Sequence, residues 1–162
     1  HIAPEYCFIK LFKGMKNLEY ITGDLISPWA DVKMDVHDIP MDDNTFDVVI
    51  CNHVLEHVED AHKVMTEFYR VMKPGGWGIF QVPIDTSNPI TEEDKSVTNP
   101  KDRERLYWQD DHLRLFGLDY GKKLAAAGFK VTESNFINEL SPELVERYAL
   151  PKGEIVYFCE KV

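Results

Sequence analysis

Long apolar runs are missing from this chain of 162 residues. Nothing in it approaches the ~20 consecutive apolar residues of a membrane-spanning helix, so no membrane span is expected. Basic charge is scarce: 18 Lys and Arg stand against 28 Asp and Glu, a formal charge of −10. Neutralising a phosphate backbone takes clustered Lys and Arg, which excludes a general nucleic-acid binder but leaves open an acceptor carried by a larger partner. Cysteine is rare. Cys7, Cys51 and Cys159 have no metal-ligand spacing and sit among apolar neighbours. That predicts reduced core thiols and a cytoplasmic protein. A phosphate cradle of the GxGxxG type is also lacking. The first residues, HIAPEYCFIKLFKG, carry neither the basic start nor the cleavage pattern of a secretory leader. They read as the end of a strand entering a turn, so the first strand is expected to be incomplete.

What is present is an ordinary globular composition, 44% hydrophobic and 28% charged, in a length that suits one domain with a sizeable core. The most informative stretch runs from Val32 to Pro83. Phe46–Cys51 is a continuous apolar run, as in a buried parallel strand. Ala61, Val64, Met65, Phe68, Val71 and Met72 recur at helical spacing. Glu59 and Asp60 precede them, where the helix macrodipole favours carboxylates. Pro74-Gly75-Gly76 is expected to stop that helix and Trp77–Val82 to form the next strand. Around this βαβ unit the pattern predicts a helix from Pro4 to about Lys13 and short strands over 18–22 and 32–34. Further on it predicts a helix closed by Gly128, a strand over 129–137, a short helix opened by Ser141-Pro142-Glu143 and a last strand over 154–160. Alternating strands and helices imply a doubly wound α/β sheet. From Asp85 to Asp111 the chain is polar, and a connection that long is functional or disordered. Tyr107 and Trp108 inside it suit either a lid over a pocket or an anchor on the sheet.

Taken in order, GDLIS at 23–27, MDVHDIP at 34–40, NTFDVVICNHVLEHV at 44–58, YRVMKPGGWGIFQVP at 69–83 and DHLRLFGLDYGKKLAAAGFKV at 111–131 resemble the class I S-adenosylmethionine-dependent methyltransferases, in their small-molecule branch. The resemblance covers nearly the whole of residues 1–162 and treats them as one domain. It implies a Rossmann-like sheet in the order 3-2-1-4-5-7-6 with its last strand antiparallel. S-adenosylmethionine would lie across the carboxyl ends of the strands, at the topological switch point. It further implies that Asp24, followed by Leu25, binds the ribose hydroxyls. Asp35 and Val36 would flank the adenine, and Asn52 and His53 would line the methionine end. Ala3 and Pro4 stand in the first turn, where the family places an acidic, glycine-rich loop. Here that turn reads His1-Ile2-Ala3-Pro4-Glu5, without the backbone freedom of glycine.

The residues themselves argue for a ligand that is not strongly anionic. Asp31, Asp35, Asp38, Asp42, Asp43 and Asp47 crowd one stretch against the single Lys33. A pyrophosphate would be repelled there, which counts against an NAD-dependent oxidoreductase. Asp42 and Asp43 read as a solvated loop. His53-Val54-Leu55-Glu56-His57 spells H-x-x-E-H, a zinc protease signature when it lies on a helix. Here it follows a buried strand directly and the methyltransferase pattern already accounts for it, so no metal is expected. Methyl transfer would be a direct displacement to a small-molecule acceptor. A base is needed only if that acceptor loses a proton, and His57, Asp85 and His112 are the candidates. The alternative is a non-catalytic Rossmann-like domain that kept the sheet and lost the cofactor, motivated by the missing glycines.

Overall fold

The computed structural model describes residues 1–151 and 153–162. Helix α1 spans Tyr6–Lys13, followed by strands β1 Gly23–Asp24, β2 Val32–Lys33 and β3 Phe46–Asn52. Helix α2, Ala61–Val71, leads into β4, Met72–Gln81. Then come α3 Pro100–Tyr107, α4 Tyr120–Ala126, β5 Lys130–Ser134, a 3-10 turn over Phe136–Glu139, α5 Pro142–Arg147 and β6 Val156–Glu160.

The sheet mixes parallel and antiparallel pairs. β1 runs parallel to β2, and β3 parallel to β4. β6 is antiparallel to both β4 and β5. Ile2 makes isolated parallel bridges to Gly23 on one side and Cys51 on the other. Its N–H donates to the Ile50 carbonyl at 2.8 Å, and the Ala3 N–H donates to the Gly23 carbonyl at 2.8 Å. A single bridging residue does not make a ladder, so six strands are assigned among the described residues, against the seven expected.

Burial explains why α2 and β4 form where they do. Val64, Met65, Phe68 and Val71 form the buried face of α2. Phe68 stacks on Phe80 with ring centroids 5.1 Å apart, within the range that aromatic pairs favour. Tyr120, fully buried, donates its hydroxyl to the Phe80 carbonyl at 2.9 Å. The helix stops earlier than the Pro-Gly-Gly signal suggests. Met72 is already extended, with φ −83 and ψ 139, and Lys73 to Gly76 lie inside β4 as an irregularity opposite Phe46–Val48. Met72 is fully buried, so it extends the core-facing side of the strand instead of the helix.

Three other expectations change. No strand covers 18–22; only Gly23–Asp24 pairs, with Val32–Lys33. The polar segment from Asp85 to Asp111 carries its own structure. Asn99 caps α3 by accepting from the Lys101 N–H at 2.9 Å, with Pro100 at the first helical position. Tyr107 is buried at its end and its hydroxyl accepts from the Asp94 N–H at 3.0 Å, whereas Trp108 is exposed. Cys7 is exposed and is no core thiol. Burial pushes the Cys159 thiol up to about 12 and the Cys51 thiol higher still, so neither ionises near neutral pH. Among the described residues no helix is long and apolar enough to cross a membrane.

Candidate cofactor and acceptor site

Parallel strands bring their carboxyl ends to one edge, and the candidate residues gather there. Ala3, at the first turn, has φ 44. It takes the left-handed conformation that a glycine would hold without strain, at a cost of roughly 1–2 kcal/mol. Pro4 follows, and Glu5 is the N-cap of α1. The Glu5 carboxylate accepts from Asn52 Nδ2 at 2.7 Å. Its other oxygen lies 2.7 Å from His1 Nε2, at ion-pair distance but without hydrogen-bond alignment. His1 Nδ1 is 2.8 Å from the Tyr20 hydroxyl. Burial pushes that phenol up to about 12, with Glu5 and Asp31 adding to the shift. Asn52 Oδ1 is buried with no hydrogen-bond partner among the described residues.

Asp24 ends β1. One of its oxygens accepts from the Ile26 N–H at 2.8 Å and the Ser27 N–H at 2.7 Å. It therefore holds its own turn as well as facing the edge. Leu25, next to it, is exposed. Asp35, after β2, accepts from the His37 N–H at 2.9 Å and from His37 Nδ1 at 2.7 Å. The backbone bond first, then the side-chain bond, holds its carboxyl below the usual carboxylate range. His37 Nε2 accepts from the Asp60 N–H at 3.3 Å. The imidazole thus ties Asp35 to the cap of α2. Val36 is buried beneath.

Beyond β3 the H-x-x-E-H residues form a turn, not a helix. His53 has φ 54 and is exposed, so it does not share a helical face with His57. Glu56 is buried, and its backbone carbonyl accepts from the Leu113 N–H at 2.8 Å. Arg114, 1% exposed, donates to the Leu55 and Val58 carbonyls, each at 2.6 Å, to the Glu59 carbonyl at 3.1 Å and to Glu93 at 3.0 Å. That guanidinium fixes the whole turn. The His57 and His112 rings meet edge to face, with centroids 4.7 Å apart. His57 Nδ1 lies 3.2 Å from Asp111, and His112 Nδ1 lies 2.7 Å from the Tyr107 carbonyl. Asp85 is placed differently: it caps its own exposed turn, accepting from the Ser87 hydroxyl at 2.6 Å and the Ser87 N–H at 2.9 Å. These bonds keep its carboxyl below the usual range. A separate cleft of about 530 Å³, lined by His62, Lys95, Arg114 and Lys123 among others, shares none of the cofactor candidates.

The site was partly invisible in sequence. Glu5, which binds Asn52, and Asp111, which meets His57, carried no signal, and His37, which binds Asp35, was not singled out. His37 had a local one, since an Asp two residues before another residue readily accepts from its backbone N–H. Glu5 and Asp111 reach partners far away in sequence and had none.

Residues 15–80 match the family described as methyltransferase domain. Over 42 residues the chain is 48% identical to the ubiquinone/menaquinone biosynthesis C-methyltransferase UbiE of Desulfotalea psychrophila, which is 26% of this chain and 17% of that protein. Over 77 residues it is 32% identical to the demethylmenaquinone methyltransferase of Staphylococcus carnosus, which is 48% of this chain and 26% of that protein. The chain thus spans between 17 and 26% of the length of these curated relatives. A SAM-dependent methyltransferase from Archaeoglobus fulgidus superposes with a TM-score of 0.55 over 94% of this chain and 79% of that one, at 16% identity. At that identity the likeness is one of fold. The chain resembles the class I S-adenosylmethionine-dependent methyltransferases in its matched domain as well as in its mixed α/β fold.

Proposed function

We propose that this protein transfers a methyl group from S-adenosylmethionine to a small-molecule acceptor. The observation that carries the reading is the set of acceptor atoms along one sheet edge. Asp24 and Asp35 present carboxylates there, and Asn52 Oδ1 is a buried acceptor without a partner among the described residues. Ribose hydroxyls, an adenine amine and a cationic methionine end are donors that such a set suits, and a pyrophosphate is not. Ala3 adopts the backbone conformation of the expected glycine, which keeps the first turn in place despite its Cβ. Ile2 bridges β1 and β3, which supports reading it as part of a central first strand.

When bound, the sulfonium of S-adenosylmethionine supplies the methyl group for a direct displacement. The work left to the chain is alignment. Asp24 would hold the ribose and Asp35, braced by His37, the adenine. Asn52, braced by Glu5, would face the methionine end with His53 beside it. The segment 85–111 closes the acceptor side by delivering Asp111 to His57 and the Tyr107 carbonyl to His112. The His57/His112 pair is the proton-handling part of the site for acceptors that must lose a proton. Asp85, held ionised in an exposed turn, serves that role less well. The relatives' names concern ubiquinone and menaquinone biosynthesis, which favours a ring-bearing acceptor of small size.

One observation favours a second reading. Glu5 already engages Asn52 and His1 in the turn where glycines would leave room, as in a domain that no longer holds cofactor. Calorimetry with S-adenosylmethionine and S-adenosylhomocysteine on the complete protein separates the two. Saturable heat with both ligands is expected; no heat at millimolar ligand would establish the non-catalytic reading.

A further inference from the structure

Glu56, His57 and His112 each bring a ligand atom to within 4.8 Å of the other two. The sequence motif rejected as a zinc signature would have paired His53 with His57 on a helix. The fold instead sets Glu56 and His57 on a turn and brings His112 to them from a distant segment.

The His112 imidazole is already oriented by a hydrogen bond, and His57 has a carboxylate beside it. A carbonyl oxygen only accepts, so His112 Nδ1, 2.7 Å from the Tyr107 carbonyl, carries the proton. Its Nε2 is then a free lone pair, and it is buried with no hydrogen-bond partner among the described residues. His57 Nδ1 lies 3.2 Å from the Asp111 carboxylate, at ion-pair distance. Its Nε2 is the nitrogen left to coordinate. A ring N–H given to a carbonyl or a carboxylate is the usual arrangement behind metal-binding histidines.

Glu56 adds the charge. Its residue is 1% exposed, and neither carboxylate oxygen has a hydrogen-bond partner among the described residues. His53 Nδ1 stands 3.4 Å from one of them, on a side chain that is 61% exposed and not aligned for a hydrogen bond. The buried Arg114 pairs with Glu93 instead. A buried carboxylate without donors is costly unless a cation meets it.

We propose that Glu56, His57 and His112 bind a divalent cation of the zinc class. Two imidazoles and one carboxylate suit zinc or cobalt far better than magnesium or calcium, which take oxygen ligands. Three protein ligands leave a fourth position, on the side where His57 is partly exposed. The cation would join the turn after β3 to the segment ending in His112. Its ligands are distinct from the cofactor candidates, but His57 and His112 are also the bases of the proposed methyl transfer, so zinc binding is read without S-adenosylmethionine and fails or succeeds separately from it.

The test is equilibrium zinc binding by the full chain, with Co2+ as spectroscopic probe and no S-adenosylmethionine present. One zinc per chain is expected, with the visible bands of four-coordinate Co2+. His57→Gln, at a partly exposed position that leaves the fold intact, should weaken zinc by at least ~100-fold and abolish the Co2+ bands. Asp111→Asn should weaken it by roughly 10-fold through loss of His57 orientation. His62→Gln, on the exposed face of α2, should bind as the parent does. Absence of stoichiometric zinc, unchanged affinity in His57→Gln, or an equal loss in His62→Gln would overturn the proposal.

Discussion

Asp35 and Asp43 belong to the same acidic stretch and are chemically alike, yet the fold gives them different work. Asp43 is an exposed partner of Arg70 at 2.8 Å, on a surface where an ion pair contributes up to about 1 kcal/mol. Asp35 is aimed by His37, which is itself fixed by the cap of α2. Asp35→Ala should therefore weaken S-adenosylhomocysteine binding by at least ~10-fold, the loss of one charged acceptor bond. Asp43→Ala should leave it within about twofold. Titration calorimetry on the two variants decides it, and equal affinities would remove the adenine role from Asp35. Asp35 and Asn52 are candidates through the family resemblance, and His57 as a possible base. The sequence did not show that Glu5 and Asp111 hold Asn52 and His57, since those partners lie far apart along the chain.

At the scale of elements, the turn between β3 and α2 depends on a residue from far along the chain. Arg114 satisfies three carbonyls of residues 55 to 59 from a fully buried position. Removing it leaves the buried Leu55 and Val58 carbonyls without this donor and leaves Glu93 unpaired. Arg114→Ala should destabilise the protein by about 3–5 kcal/mol, the range for breaking a buried charged network. The shift in the urea unfolding midpoint measures it; a loss below about 1 kcal/mol would mean that the turn holds itself. The same scale shows where periodicity misleads. Met72 fits the helical stripe of α2 and also the inward face of β4, and local spacing does not choose between them. Pairing with Phe46 does. Segment 85–111 reads in sequence as functional or disordered because its apolar content is low, and its helix α3 was not foreseen.

For the whole molecule, several carboxylates share one direction of shift. Asp31 is held low by Lys13 and Thr22, Asp35 by His37, Asp60 by the Lys63 N–H and Glu67 by Arg70. Each has a folded value below its unfolded one, so at acid pH the unfolded chain binds more protons and stability falls as pH falls. The contribution is complete above about pH 5 and is lost progressively below about pH 4. Protonation also relieves the self-repulsion of a −10 chain, but that term acts between exposed charges screened by salt. Urea midpoints taken from pH 7 to pH 3 should therefore drop on the acid side. A midpoint that rises would show that repulsion dominates.

The sequence by itself determined the class of fold and the acidic charge of the stretch between residues 31 and 47. Those follow from local quantities: apolar periodicity, turn residues and the order of motifs. Tertiary structure alone decided that Ala3 can take a glycine's conformation, that Glu5 meets Asn52 and that His112 arrives beside Glu56 and His57. These depend on long-range pairing, which spacing along a chain does not encode. The methyltransferase resemblance was a property of the string; the candidate metal site is a property of the packing.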